Sequence, residues 1–161
     1  MYLKKIITGG QTGVDRAAWD AALEFGIAIG GWVPSEKWAE DGRIPEIYRG
    51  LNETRSGDPA ERTSSNVRDS DGTLIISRGD LTGGSVLAQS LCEEIGKPVL
   101  HIDLSKTSEH AAVSLIIEWF ATNKIRILNV AGPRASEDAV IYSLSNKLLG
   151  SVFVLSQLGR R

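Results

Sequence analysis

Short apolar runs alternate along the chain with stretches whose apolar positions recur every three or four residues. The runs at 3–8, 27–32, 72–77, 99–102 and 125–130 predict five strands. Between them, 13–25 predicts a helix, with Val14, Ala17, Ala18, Ala21, Ala22 and Phe25 on one face and Gly26 in the position of a terminating glycine. Helical patterns also cover 84–95, 109–123 and 136–149, with a short candidate at 63–69. The pattern at 152–158 fits either a continued helix or a strand. The segment 35–64 breaks the alternation: it is polar, carries Lys37, Glu40 and Asp41, and holds Pro45 and Pro59. Its length without a pattern predicts a functional loop or lid.

Five apolar strands alternating with helices predict an α/β sandwich of three layers, with a mainly parallel sheet between two helical layers and right-handed crossovers. Ligands bind such sheets beyond the carboxyl ends of the strands, so each candidate motif is judged by whether it follows a strand. The chain has 161 residues, 42% hydrophobic and 24% charged, as for one globular domain over 1–161. A net charge of −2 gives no basic field to favour nucleic acid or a membrane surface. The Arg160-Arg161 end reads as solvated. The lone Cys92 sits in an apolar run and reads as a buried thiol; it excludes an intrachain disulfide and a thiolate metal cluster. With no secretory segment and no membrane-length apolar run, a cytoplasmic protein is expected.

Three of the five strands run into glycine-rich loops that open helices. Gly9-Gly10-Gln11-Thr12-Gly13 follows the first, Thr82-Gly83-Gly84-Ser85 the third, and Gly132-Pro133-Arg134 with Ser136 as candidate N-cap the fifth. Glycines before a helix start let backbone N–H groups approach an anion. Three such loops on one sheet predict a shared crevice for a phosphate-like group, with the excess glycine read as clearance for a ligand. Neither a dinucleotide fingerprint nor a phosphate-binding P-loop is present. Asp15 complements the helix dipole, whereas Arg16 beside it calls for a carboxylate or a ligand anion. Trp32 ends the second strand and Pro34 follows it, and Glu40, Asp41 and Gly42 lie in the polar segment, as ring-stacking or hydroxyl-binding candidates. Asn66 and Asp69 precede the third strand. His101 and His110 lack metal-ligand spacing, no metal site is read, and no catalytic residue is assigned.

GGQTGVDRAAWDAA, GGWVPSEKWAEDGRIPEIY, RTSSNVRDSDGTLII, LTGGSVLA, GKPVL and LNVAGPRASE stand in this order in the chain. Together they resemble the putative molybdenum carrier protein family, the circularly permuted YpsA-like proteins, over residues 3–150. The resemblance implies a Rossmann-like fold related to the LOG group, and a nucleotide-derived or molybdopterin-like ligand. It selects Gly9 to Gly13, Asp15, Arg16, Trp32, Pro34, Glu40 to Gly42, Asn66, Asp69, Ser70, Asp71, Gly83, Gly84, Asn129, Gly132, Pro133, Arg134 and Glu137. LOG hydrolases resemble one another in P-G-G-x-G-T-x-x-E; here the stretch from Thr82 to Ser90 lacks the Gly-Thr pair and the glutamate. The resemblance thus implies a binding or carrier protein for a phosphorylated ligand, the molybdenum cofactor or a nucleotide derivative. An N-glycosidic phosphoribohydrolase, with Glu40, Asp41 or Asp69 as substitute carboxylate, and a nucleotide sensor are the alternatives. A homo-oligomer is the expected assembly.

Overall fold

β1 (Lys5–Ile7) starts the sheet and α1 (Val14–Glu24) carries the chain to β2 (Ala28–Val33). The structure, a computed structural model, describes residues 3–158, so the Arg160-Arg161 end lies outside the described residues. A single 3-10 turn (Ser35–Lys37) leads into a two-stranded antiparallel hairpin, β3 (Trp38–Ala39) and β4 (Gly42–Arg43), and then to β5 (Leu51–Glu53). α2 (Pro59–Asp69), β6 (Gly72–Ser77), α3 (Gly83–Ile95), β7 (Val99–Asp103), α4 (Glu109–Asn123), β8 (Ile127–Ala131) and α5 (Ile141–Leu158) follow. Local chemistry sets the ends: Asp58 caps α2 by accepting from Ala60 N–H, with Pro59 at its first turn, and Ser108 caps α4 by accepting from Ala111 N–H.

The main sheet has six strands in the order β5-β2-β1-β8-β6-β7, every pairing parallel. β1, β8 and β6, the strands that feed the three glycine-rich loops, are neighbours at its centre. α1 packs on α5 and α5 on α4 over one face, while α2 packs on α3 over the other. The chain moves toward the β5 edge through α1 and α4 and toward the β7 edge through α2 and α3. The four helical crossovers therefore share one hand.

The two faces differ in chemistry. Ile6, Leu74, Ile76, Leu128 and Val130 pack with α1, α4 and α5 in one apolar core. On the α2 side, buried Asn129 donates to Thr73 Oγ1 at 3.1 Å, and buried Asn66 lies beside β2. Ala17, Ala18, Ala21 and Ala22 are 0% exposed, so the alanine face of α1 is core and not an oligomer surface. α1 is buried on more than that face. Trp19, at 0% exposure, joins Val33, Ile44 and Tyr48 in a second cluster, and its indole N–H donates to Gly30 O.

Three expectations change. The segment 35–64 is ordered, and β5 makes the strand count six instead of five. Leu51-Asn52-Glu53 carries one apolar side chain at a sheet edge, so it shows no hydrophobic pattern. The last helix begins at Ile141 and runs to Leu158, not from 136. Ser136 is not its N-cap, because its hydroxyl and its N–H both donate to Glu40. The turn before Ile141 is further held by a two-point pairing of Arg78 with Asp138 at 2.8 and 2.9 Å.

Candidate functional site

The first glycine-rich loop turns its donors inward. Gly10 N–H donates to Thr8 Oγ1, Gln11 N–H to Asp15 Oδ2, Thr12 N–H to Gln11 Oε1, and Val14 N–H to Pro133 O. Gly13 has φ +79, and a Cβ there would lie 2.3 Å from Pro133 O. A Cβ on Gly132 would lie 2.3 Å from Ile76 O. At Gly10 it would meet Trp19 and Ile44 at 2.8 Å. These glycines let the loops after β1 and β8 touch each other and the core. At these positions the sequence reading of glycine as ligand clearance is replaced by protein packing.

The start of α3 differs. Thr82 is its N-cap, but no side chain caps the helix, and the Thr82 hydroxyl donates instead to Glu137 at 2.8 Å. A Cβ on Gly83 or Gly84 would meet nothing within 4 Å. Uncapped N–H groups with the positive end of the helix dipole behind them attract an anion. In front of them lies a hollow of about 100 Å³ whose walls include Gln11, Asp15, Arg62, Ser85 and Asn129. A second hollow of about 280 Å³, walled by Pro34, Trp38, Glu40 and Pro59, adjoins it. Gly9, Gln11, Pro59, Arg62 and Arg134 line both. The inner room is the size of an oxyanion and far below the ~300 Å³ or more of a ligand pocket, so a larger ligand must occupy both.

Asp15 is the buried carboxylate of the inner hollow, 5% exposed. Its Oδ2 accepts from Gln11 N–H at 3.1 Å and from Arg62 Nη1 at 3.4 Å. Burial pushes its carboxyl above the ordinary value, against the pull of Arg62. Glu40 binds three segments together. It accepts from the Thr12 and Ser136 hydroxyls and from Ser136 N–H, and its own N–H donates to Gln11 Oε1. Desolvation works against its charge, but the bonds from Ser136 and Thr12 outweigh that and hold it below the ordinary value.

Arg16 takes the carboxylate of its two expected partners. Its fork meets Asp41 at 3.0 Å on both oxygens and its Nε–H donates to Gly10 O at 2.9 Å. It clamps the hairpin at its turn, Glu40-Asp41, and is not among the residues lining either hollow. Of the remaining candidates, Gly9, Gln11, Asn66, Thr82, Gly84, Ser85, Gly132 and Arg134 line the inner hollow. Pro34, Glu40 and again Gly9, Gln11 and Arg134 line the outer one. Pro133 lies behind, in an open depression shared with Arg78 and Asp138. Trp32 and Asp69 are brought together elsewhere: the Trp32 indole donates to Asp69 at 2.7 Å in a separate hollow with Lys5 and Asn52. Asn66 clasps the Trp32 backbone by accepting from its N–H and donating to its carbonyl.

Sequence reading missed Arg62, which stands at the junction of the two hollows. Its Nη1 would lie 1.5 Å from a Cβ on Gly9, so it rests directly on that loop. In the sequence it passes for a solvated helix charge. The available signal was its i, i+4 spacing to Asn66, which places both on one face of α2.

A doubly wound parallel sheet with a cleft beyond the carboxyl ends of its central strands defines a Rossmann-like class, whose members bind ligands there. Within it, the chain belongs to the Circularly permutated YpsA SLOG family, whose model matches residues 6–153. The chain is also similar to a crystal structure described as a Putative molybdenum carrier protein from Syntrophus aciditrophicus SB. The two share 50% identity and a TM-score of 0.92, over 95% of this chain and 96% of that one. A comparison with curated proteins finds no match. Among the described residues, no helix is long and apolar enough to cross a membrane.

Proposed function

We propose that the chain is a binding or carrier protein for a phosphorylated ligand, the molybdenum cofactor or a nucleotide derivative. The observation that carries this is the start of α3, which no side chain caps and where Gly84, with open space at its Cβ position, lines a cleft with Ser85, Arg62 and Arg134. The phosphate group sits in the inner hollow against these N–H groups and the Ser85 side. The ring system lies in the outer hollow, against Trp38 and between Pro34 and Pro59. Among the described residues no group of three or more His, Cys, Asp or Glu side chains is placed to hold a metal ion, and Cys92 is buried. A molybdenum cargo would be held through the phosphate and ring of its cofactor, with the pterin dithiolene as metal ligand. The similarity to the protein named as a molybdenum carrier supports that cargo.

Native mass spectrometry of gently purified protein, beside its denatured mass, tests the reading. A bound mass with the broad isotope pattern of molybdenum supports the cofactor, and a nucleotide mass supports the nucleotide derivative. Gly84→Val should lose either. Retention of the bound mass in Gly84→Val would sink the assignment of the inner hollow.

A second reading, hydrolysis of an N-glycosidic bond, rests on Asp15, a buried carboxylate with a raised pKa lining the cleft. Steady turnover of adenosine 5′-monophosphate, abolished in Asp15→Asn, would establish it over the carrier reading.

A further inference from the structure

Arg62 is placed between two claims. Its side chain is 15% exposed, and its Nε–H is buried without a hydrogen-bond partner. Its contact with Asp15 is a single one at 3.4 Å, long for a charge-assisted pair and not the two-point fork an arginine can make. Asp15, 7% exposed in its side chain, accepts two N–H donors on one oxygen, from Gln11 and from the Arg62 cation, an arrangement open to its carboxylate. The guanidinium therefore stands in the wall of both hollows with binding capacity in hand, opposite the open start of α3.

Resting on the reading that an oxyanion enters this cleft, we infer that Arg62 exchanges partners on binding: it turns from Asp15 to the anion, and Asp15 takes up one proton from solvent. An anion in the inner hollow offers Arg62 a two-point partner. It leaves the Asp15 carboxylate buried, without its cation and beside a like charge, and each of those changes favours the neutral acid. The direction already present in the free protein, a carboxyl raised by burial, is the same. The other charged groups around Asp15 do not replace Arg62. Arg16, on the same helix, already pulls on Asp15 more weakly than Arg62 does, and its fork is held by Asp41. Across the cleft Arg134 is paired with Glu137 at 3.0 Å and lies 4.0 Å from Glu40. α3 contributes no acidic or basic residue in its first turn. The binding site thus becomes proton-linked, taking its ligand more tightly as pH falls.

Calorimetry with inorganic sulfate tests this, because sulfate is a dianion with no proton of its own to exchange near neutral pH. Titrations in two buffers of different ionisation heat count the protons. Wild type should take up close to one proton per sulfate, and its affinity should fall about tenfold per pH unit where that uptake is complete. Asp15→Asn should bind sulfate with no uptake and no pH dependence. Arg62→Gln should bind at least tenfold more weakly and also show no uptake, since its Asp15 is already protonated before the anion arrives. Sulfate binding by wild type without proton exchange, or uptake that persists in Asp15→Asn, overturns the partner exchange alone. Failure of wild type to bind sulfate at all overturns the cleft as an oxyanion site, and the exchange with it.

Discussion

The chain opens two helices with glycine-rich loops, and the two loops do opposite things. Before α1, Gly10 and Gly13 are glycine because other parts of the protein occupy the space of a side chain. Before α3, Gly83 and Gly84 border space that nothing in the chain fills. The N–H groups follow suit: those of Gly10, Gln11, Thr12 and Val14 have protein partners, whereas at the α3 start, which no side chain caps, Ser85 N–H turns back on Thr82 O and Gly83 and Gly84 face open space. A glycine-rich strand-to-helix loop is therefore two kinds of object, an assembly joint or a ligand seat. What separates them is the destination of the backbone donors.

Four substitutions sharpen or break that contrast. Gly13→Ala should be the most damaging. Its backbone, with φ 79 and ψ −127, costs about 1–3 kcal/mol for a residue with a Cβ, and forced contact with Pro133 O adds about 1–3 kcal/mol. A loss of about 3 kcal/mol in urea unfolding is expected; a loss below 1 kcal/mol would show that the two loops do not meet. Arg16→Ala comes next. It strands a half-exposed Asp41 and frees the hairpin, for a loss of about 2 kcal/mol, less than for a fully buried pair because Asp41 is 48% exposed.

Gly84→Val should change stability by no more than about 0.5 kcal/mol, since a helix tolerates valine slightly better than glycine. Its bound ligand should nevertheless vanish. A marked drop in melting temperature would mean that the space before α3 is needed by the fold. The smallest effect is on a slope. Asp15 has a raised pKa in the folded state, so its contribution to stability is full below the unfolded value of about 3.9 and declines as pH rises through the folded value. In Asp15→Asn that decline with rising pH should be missing from a series of unfolding curves. An unchanged slope would place the Asp15 pKa at its ordinary value.

The order of the main elements is legible because the central strands are short, mostly apolar runs, and Gly72 to Ser77 is buried at every position. β5 is not, because an edge strand with two polar residues in three has no periodicity to show. The hairpin is equally silent. Strands of two residues gain little from their own ladder, and this one is fixed by Arg16 on Asp41 and by Glu40 on Thr12 and Ser136. Those contacts span up to 96 positions in sequence. For the same reason sequence reading brought Arg16 to a carboxylate or an anion without choosing between them. It could not find Arg62, whose role comes from lying across Gly9 in space. Trp32 and Asp69 have the chemistry of site residues but are each other's partners, away from the two joined hollows.

Glu40 bears on time as well as on structure. Its carboxylate fastens the hairpin to the loops after β1 and after β8, on the wall of the outer hollow. If entry to the outer hollow requires this hairpin to open, the fastening must open again for the ligand to leave, and it lowers the rates of arrival and departure together. The dissociation constant is untouched, while the residence time lengthens. Stopped-flow mixing should find both rates raised in Glu40→Gln with their ratio preserved. For a carrier, that fastening sets how long a cargo travels before release.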